Sequence, residues 1–347
     1  MLRSRLPEET LPILMDFLTT CCITRLADLS DLDNSSSLKV YSAIRPKAKS
    51  LSVSMGKSLD ETSAKCSALA ESIETFLAEE IEPQLLNTSY LSLSKQNKRF
   101  LKISCLHGFR GDVSDHYRLN WNVGYEYETG EEIYLPHPCI SLNTNVLLNN
   151  LLGLSSRGIA TGNTRTEAIV KGIFEAIEWE AVTKNTKKTL LVDKSLIAKY
   201  YLTSDYYCNF YEYKNEYAVP VVAADLYHKN KLMNQCIYKG VAASETYENS
   251  VCGALEEAIQ SRVGVVSGAR DDLKIDYYSS ENIVNHNHGK LDLQEYMNLG
   301  GKNTEDILKE LNGCIKKANK KVVIYEYYVG LISVVKTFII NRENYIL

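Results

Sequence analysis

The sequence predicts an α+β fold built as one large domain. Strand-like and helix-like segments mix along its 347 residues without the regular alternation of a doubly wound sheet. No linker rich in Gly, Pro or Ser divides them, so a helix/strand segment over 1–38 is expected to lead into one body over 39–347. Three long helix-like runs also repeat one theme: Glu71-Ser-Ile-Glu74, Glu175-Ala-Ile-Glu178 and Glu257-Ala-Ile-Gln260. Each run follows a glycine-bearing segment, at Gly56, Gly162 and Gly240.

Taken in order, residues 7–19 read as a helix, with Pro7 and two acidic residues in its first turn. Residues 23–28 and 40–44 read as strands around a polar loop, and 50–57 alternates apolar and hydroxyl residues as a third strand. Asp60 is placed to cap the first long helix, which runs to Glu80 before Pro83. Residues 82–120 carry no clear period and read as irregular. From Trp121 a hairpin follows, turning at Thr129-Gly130.

Thr164 and Glu167 have capping-box spacing at the start of the second long helix. Strands are expected at 207–213, 219–226 and 233–241, the third long helix at 245–264, another helix at 302–318, and strands at 322–328 and 332–340. The 23 tyrosines fall largely at alternating strand positions, where sheet packing explains them.

Composition excludes several function classes. A formal net charge of -4 and one short basic run, Lys316 to Lys321, give no nucleic-acid footprint. No apolar stretch reaches membrane-spanning length, and the N-terminus lacks a signal-peptide core. Nine cysteines without C-x-x-C spacing fit free thiols in a reducing compartment, which points to the cytoplasm. His286-Asn-His288 lacks a third ligand nearby, and His107 and His116 fall in the irregular stretch.

Residues three apart on a helix lie on neighbouring faces, so each acidic pair presents its oxygens in one direction, flanking an Ile that needs burial. One pair alone also fits a solvated face. Three convergent pairs would repel one another unless cations neutralised them, and Mg²⁺ with phosphate as co-ligand is the usual solution. Ser67, Glu71 and Glu74 form one stripe; Glu167, Glu175 and Glu178 form another.

The order of these motifs resembles the YcaO family of ATP-dependent peptide-backbone modifying enzymes. Ser67-x3-Glu71-x-x-Glu74, Asn163-x3-Glu167 with Glu175-x-x-Glu178, and Glu257-Ala-Ile-Gln260-Ser-Arg262 match its pattern. So do Ser52-Val-Ser54-Met-Gly56-Lys57 upstream and Gly268-Ala-Arg270-Asp-Asp272 downstream. The resemblance implies that the helices surround one ATP. Glu71, Glu74, Glu167, Glu175, Glu178 and Glu257 would then hold Mg²⁺, while Lys57, Ser67, Asn163, Gln260 and Arg262 touch the nucleotide. Glu178 and Glu257 would be the catalytic pair.

It also implies the chemistry: a nucleophile adds to a backbone carbonyl of a peptide substrate, and phosphorylation makes the amide oxygen a leaving group. A substrate side chain as nucleophile gives an azoline; an external sulfur donor gives a thioamide. The opening from Pro7 to Pro46 resembles the subgroup that acts with a TfuA-like partner in thioamidation, and the ending Arg342 to Leu347 lacks the proline-rich tail common in azoline formers. Family resemblance further implies a homodimer.

Three family arginines are replaced, by Thr75, Trp179 and Gly253. Lys57, Lys171, Arg262 and Arg270 are candidates to compensate. An azoline-forming cyclodehydratase and a nucleotide-binding scaffold without turnover are the alternative readings.

Overall fold

The computed structural model describes residues 3–33, 35–105, 113–145, 155–184, 187–230, 237–269, 296–342 and 345–346. Its helices are α1 (Pro7–Met15), α2 (Glu61–Glu80), α3 (Tyr90–Lys95), α4 (Arg165–Thr183), α5 (Lys194–Ile197), α6 (Tyr247–Val266) and α7 (Thr304–Lys317). The first strands are β1 (Arg25–Asp28), β2 (Lys39–Ile44), β3 (Val53–Ser58), β4 (Leu85–Ser89), β5 (Phe100–Leu101), β6 (Arg118–Glu126), β7 (Glu132–Pro136) and β8 (Ile159–Gly162). After them come β9 (Lys187–Leu190), β10 (Tyr206–Tyr213), β11 (Val221–His228), β12 (Tyr238–Ala243), β13 (Lys320–Val329), β14 (Ser333–Asn341) and β15 (Tyr345–Ile346).

These strands form three sheets. One is β1-β2-β3, one is β12-β11-β10-β9, and the third runs β15-β5-β7-β6-β13-β14-β8 with β4 on β6. All pairs are antiparallel except β5 with β7. The expected α+β class holds. Among the described residues no helix is long and apolar enough to cross a membrane.

Each acidic helix centres a core cluster, and the Ile inside each acidic pair explains why. Ile73, Ile177 and Ile259 are all buried, so the flanking carboxylates are drawn to the edge of packed apolar layers. Around α2 lie Leu14, Tyr41, Ile159 and Val334; around α4, Tyr211, Leu311 and Val335; around α6, Val40, Val222 and Leu226.

The three glycines have one job. A Cβ at Gly56 would stand 2.1 Å from the Ala68 nitrogen, one at Gly162 2.3 Å from that of Ala168, and one at Gly240 2.2 Å from the Ala254 oxygen. Each strand therefore touches the backbone of the helix that follows it, over alanines, which only a residue without a side chain permits. The chain makes this strand–helix unit three times: β3 with α2, β8 with α4, and β12 with α6.

Local signals hold where the contacts are local. Asp60 caps α2, its carboxylate accepting from the Ser63 N–H at 2.7 Å, and Gly130 turns the β6–β7 hairpin at φ +70°. The irregular reading of 82–120 does not hold: β4, α3, β5 and the start of β6 occupy it. Distant partners impose that order. β4 pairs with β6, the Trp121 indole donates to the Thr88 carbonyl at 2.8 Å, and Tyr90 meets Trp121 edge to face at 5.2 Å.

Candidate active site

The three acidic helices converge on one cavity of about 820 Å³. All six glutamates expected as metal ligands line it, and so do Lys57, Ser67, Asn163 and Gln260. The helical period explains the convergence on α4, where Glu167, Lys171, Glu175 and Glu178 fall along one stripe.

The second polar residue of each theme is fixed by the strand of the next unit. Glu74 on α2 accepts from the Thr161 N–H of β8 at 2.6 Å, and Glu178 on α4 accepts from the Ala243 N–H of β12 at 3.2 Å. Gln260 on α6 donates its amide to the Met55 carbonyl of β3 at 3.4 Å, which closes the ring. Glu71 accepts from the Met55 N–H at 3.2 Å.

The capping box at α4 is displaced by one residue. Thr164 does accept from the Glu167 N–H at 3.2 Å, but the Glu167 carboxylate takes the N–H of Asn163 at 2.9 Å and that of Ser4 at 2.5 Å.

This concentration of carboxylates perturbs ionisation. Burial pushes Glu74 up to about 7, against the opposing Thr161 hydrogen bond and the Lys171 charge. Burial and the neighbouring Glu74 hold Glu175 well above the usual range; burial, Glu257 and Glu175 do the same to Glu178. Lys171 is drawn down to about 8 by burial and by Arg3, while its Nζ donates to the Thr161 carbonyl at 2.8 Å. These carboxyls therefore resist ionising together unless cations accompany them.

The model of the YcaO cyclodehydratase family, described as binding ATP and Mg²⁺, matches residues 55–339. The chain belongs to the YcaO family. YcaO proteins are ATP-dependent enzymes that modify peptide backbones. Over 179 residues the chain is 27% identical to a protein in the tfuA 3′ region of Rhizobium leguminosarum bv. trifolii, which covers 52% of this chain and 42% of that one. Over 293 residues it is 24% identical to a Mycobacterium tuberculosis protein, covering 77% of this chain and 63% of that one. The chain thus spans less than two thirds of the length of either curated relative.

Among solved structures, a heterocyclase in complex with substrate and cofactor superposes with a TM-score of 0.80 at 16% identity, over 97% of this chain and 52% of that one. The YcaO from Methanopyrus kandleri bound with AMPPCP and Mg²⁺ gives 0.70 at 19% identity, over 96% and 90%. At such identities the likeness establishes the fold alone.

ATP and Mg²⁺ are the cofactors of this YcaO chain, and its donor set fits them. Among the described residues no three His, Cys, Asp or Glu side chains could hold an ion by themselves. Carboxylates so spread suit ions whose shells are completed by phosphate oxygens and water, the usual arrangement for Mg²⁺. The raised Glu74, Glu175 and Glu178 are the groups such cations would relieve.

Arg262 does not reach the cavity. Two residues beyond Gln260, it projects roughly 200° round the helix. Its Nε lies 3.0 Å from the buried Asp33 carboxylate, its Nη1 donates to the Tyr238 hydroxyl at 3.2 Å, and it stacks on the Tyr206 ring at 4.7 Å. His116 is exposed and also lies away from the cavity, whereas His107, Arg270, Asp271, Asp272, His286 and His288 fall outside the described residues.

Other cavity residues left no local trace in the sequence. Arg3, Thr10 and Lys239 line it, and the Thr10 hydroxyl donates to the Asn163 side-chain oxygen at 2.9 Å across 153 residues of chain. The replacement at 253 has a packing cause, since a Cβ at Gly253 would stand 2.9 Å from that of Ala242. Thr75 bonds back to the Glu71 carbonyl at 2.9 Å. Trp179 lies beneath the Arg157 guanidinium, 3.9 Å from its ring centroid.

Proposed function

We propose that this YcaO protein thioamidates a peptide, working with a TfuA-like partner and a sulfur donor. The observation that carries the ATP-dependent half is the convergence of six glutamates from three helices on one cavity. The relative in the tfuA 3′ region supports sulfur as the nucleophile.

When bound, ATP and Mg²⁺ would supply the phosphoryl group and the positive charge that turn an amide oxygen into a leaving group. Glu71, Glu74, Glu167, Glu175, Glu178 and Glu257 are the residues to hold the metal; Lys57, Ser67, Asn163 and Gln260 are those to hold the nucleotide. The work of the protein is positional. The Thr161 and Ala243 amides each fix one oxygen of Glu74 and Glu178, leaving the other oxygen for a ligand. Glu178 and Glu257 are the proposed catalytic pair: both line the cavity with Lys57, and the Glu257 charge raises Glu178 while that of Lys57 opposes it.

A second reading, azoline formation, is favoured by the cyclodehydratase description of the matching family. Mass spectrometry separates the two: with ATP, Mg²⁺, sulfide, the partner and a candidate peptide, thioamidation exchanges one oxygen for sulfur, while cyclodehydration removes one water. Calorimetric titration with ATP, with and without Mg²⁺, on the wild type and Glu178→Gln, tests the site itself. Mg²⁺-dependent binding that the variant loses is the expected result.

A further inference from the structure

Helix α1 carries no part of the acidic theme, yet it reaches the cavity. It packs on α2 through Leu14, which shares a core cluster with Leu69 and Ile73, and the Cys66 thiol donates to the Pro7 carbonyl at 3.5 Å. The Arg5 guanidinium fastens the residues before it to the turn between β13 and β14, donating to the Leu331 carbonyl at 2.5 Å. This frame sets Thr10 against Asn163, and both line the cavity while staying 8% exposed.

The Thr10 hydroxyl has one proton and two oxygens within reach, the Leu6 carbonyl at 3.0 Å and Asn163 Oδ1 at 2.9 Å. The Leu6 carbonyl already accepts the Thr10 and Glu9 N–H groups, at 3.0 and 3.1 Å, so both of its lone pairs are taken. The proton therefore goes to Asn163. That bond tells the two ends of the amide apart: Oδ1 faces Thr10, and Nδ2 is left for the cavity. Among the described residues Nδ2 donates to nothing, and it is not sealed off from the cavity space. Two N–H donors on an almost wholly buried side chain thus lack an acceptor, a costly state that a ligand oxygen would relieve.

We propose that Thr10 is a positioning residue for the nucleotide: by holding Oδ1 it sets the Asn163 amide so that its N–H donors meet an oxygen of ATP. This assignment rests on the reading of the cavity as an ATP site. ATP presents chiefly acceptor oxygens, and a reversed amide would set Oδ1 against them. The same segment steadies the neighbouring metal ligand, since the Glu167 carboxylate takes the N–H of Ser4 at 2.5 Å and that of Asn163 at 2.9 Å. The start of the chain therefore acts on ATP through Asn163.

Calorimetric titration of the full chain with ATP and Mg²⁺ tests the assignment as a double-mutant cycle. Thr10→Val keeps the shape and removes the hydroxyl, and it weakens ATP about 5- to 10-fold. Thr10→Ser restores most of the affinity. In an Asn163→Ala background, Thr10→Val changes ATP affinity by less than about twofold, because the group it positions is gone. A packing role for Thr10 would instead weaken binding equally in both backgrounds, and that result, or wild-type affinity in Thr10→Val, would overturn the assignment while leaving the cavity reading intact. Circular dichroism melts check folding. Should Thr10→Val not fold, Asn163→Asp decides: it keeps an oxygen for Thr10 and replaces the donors with a second oxygen, so ATP binding falls at least 10-fold, and unchanged binding would overturn the assignment. Absence of Mg²⁺-dependent ATP binding by the wild type would overturn the cavity reading and this assignment together.

Discussion

The amide of Gln260 on the third acidic helix donates to the carbonyl of Met55 on the first glycine-bearing strand, at 3.4 Å. The corresponding bonds from Glu74 and Glu178 run the other way, each carboxylate accepting a strand N–H. The Met55 N–H is already taken by Glu71, so the last link has to meet a carbonyl and needs a donor. That is a physical reason for Gln at the third repeat. Gln260→Glu sets a carboxylate against a carbonyl and should cost about 1–3 kcal/mol, read by urea denaturation, whereas Gln260→Asn should lose less.

Glu178→Gln and Glu257→Gln each remove one charge at nearly constant shape. Turnover is expected to fall by about 100-fold or more in each. The melting temperature of ligand-free Glu178→Gln should not fall, because burial and two neighbouring carboxylates already disfavour its charge. Full activity in both variants would remove these residues from the mechanism.

The close strand–helix approach predicts a graded glycine series. Gly162→Ala and Gly240→Ala force a methyl into backbone atoms and should each destabilise by about 1–3 kcal/mol or more. Gly130→Ala meets no atom within 4 Å and should cost only its left-handed conformation, about 1 kcal/mol. Guanidinium unfolding midpoints would rank them.

Stability of the ligand-free protein should depend on pH with a calculable sign. Glu74 has a folded value near 7 against an ordinary 4.5, so the folded state holds its proton more tightly. Its contribution is present below about 4.5 and is lost as pH rises through 7, on the order of 3 kcal/mol at most, and Glu175 and Glu178 act in the same direction. Lys171, drawn down to about 8, is disfavoured as a cation until the pH passes that value. Melting temperatures should therefore fall between pH 5 and 7.5. Saturating Mg²⁺ and ATP should flatten the fall, with affinity rising over the same range as protons are released.

Arg262 and Asp33 form a largely buried pair, the side chains 17% and 2% exposed. Arg262→Ala strands the Asp33 carboxylate and should destabilise by about 3–5 kcal/mol. Asp33→Asn in the same chain should restore part of that loss. ATP affinity per folded molecule, measured by calorimetry, should change little.

The sequence by itself determined the repeated acidic theme, the buried Ile within it, the glycines before each helix and the caps at Asp60 and Thr164. All of these depend on spacings within a helical turn or two, or on a residue type that a tight contact demands. The motif match misplaced Arg262, because a motif read as a string hides what the helical period shows: 260 and 262 face nearly opposite ways. Nor did it show order in 82–120, where β4 exists only because β6 pairs with it. Tertiary structure decided the closed ring from Glu74 to β8, Glu178 to β12 and Gln260 to β3, the arrival of Arg3 and Thr10 at α4, and the guanidinium of Arg157 over Trp179. These contacts join residues distant in the chain, so they form only when the three units pack around one cavity.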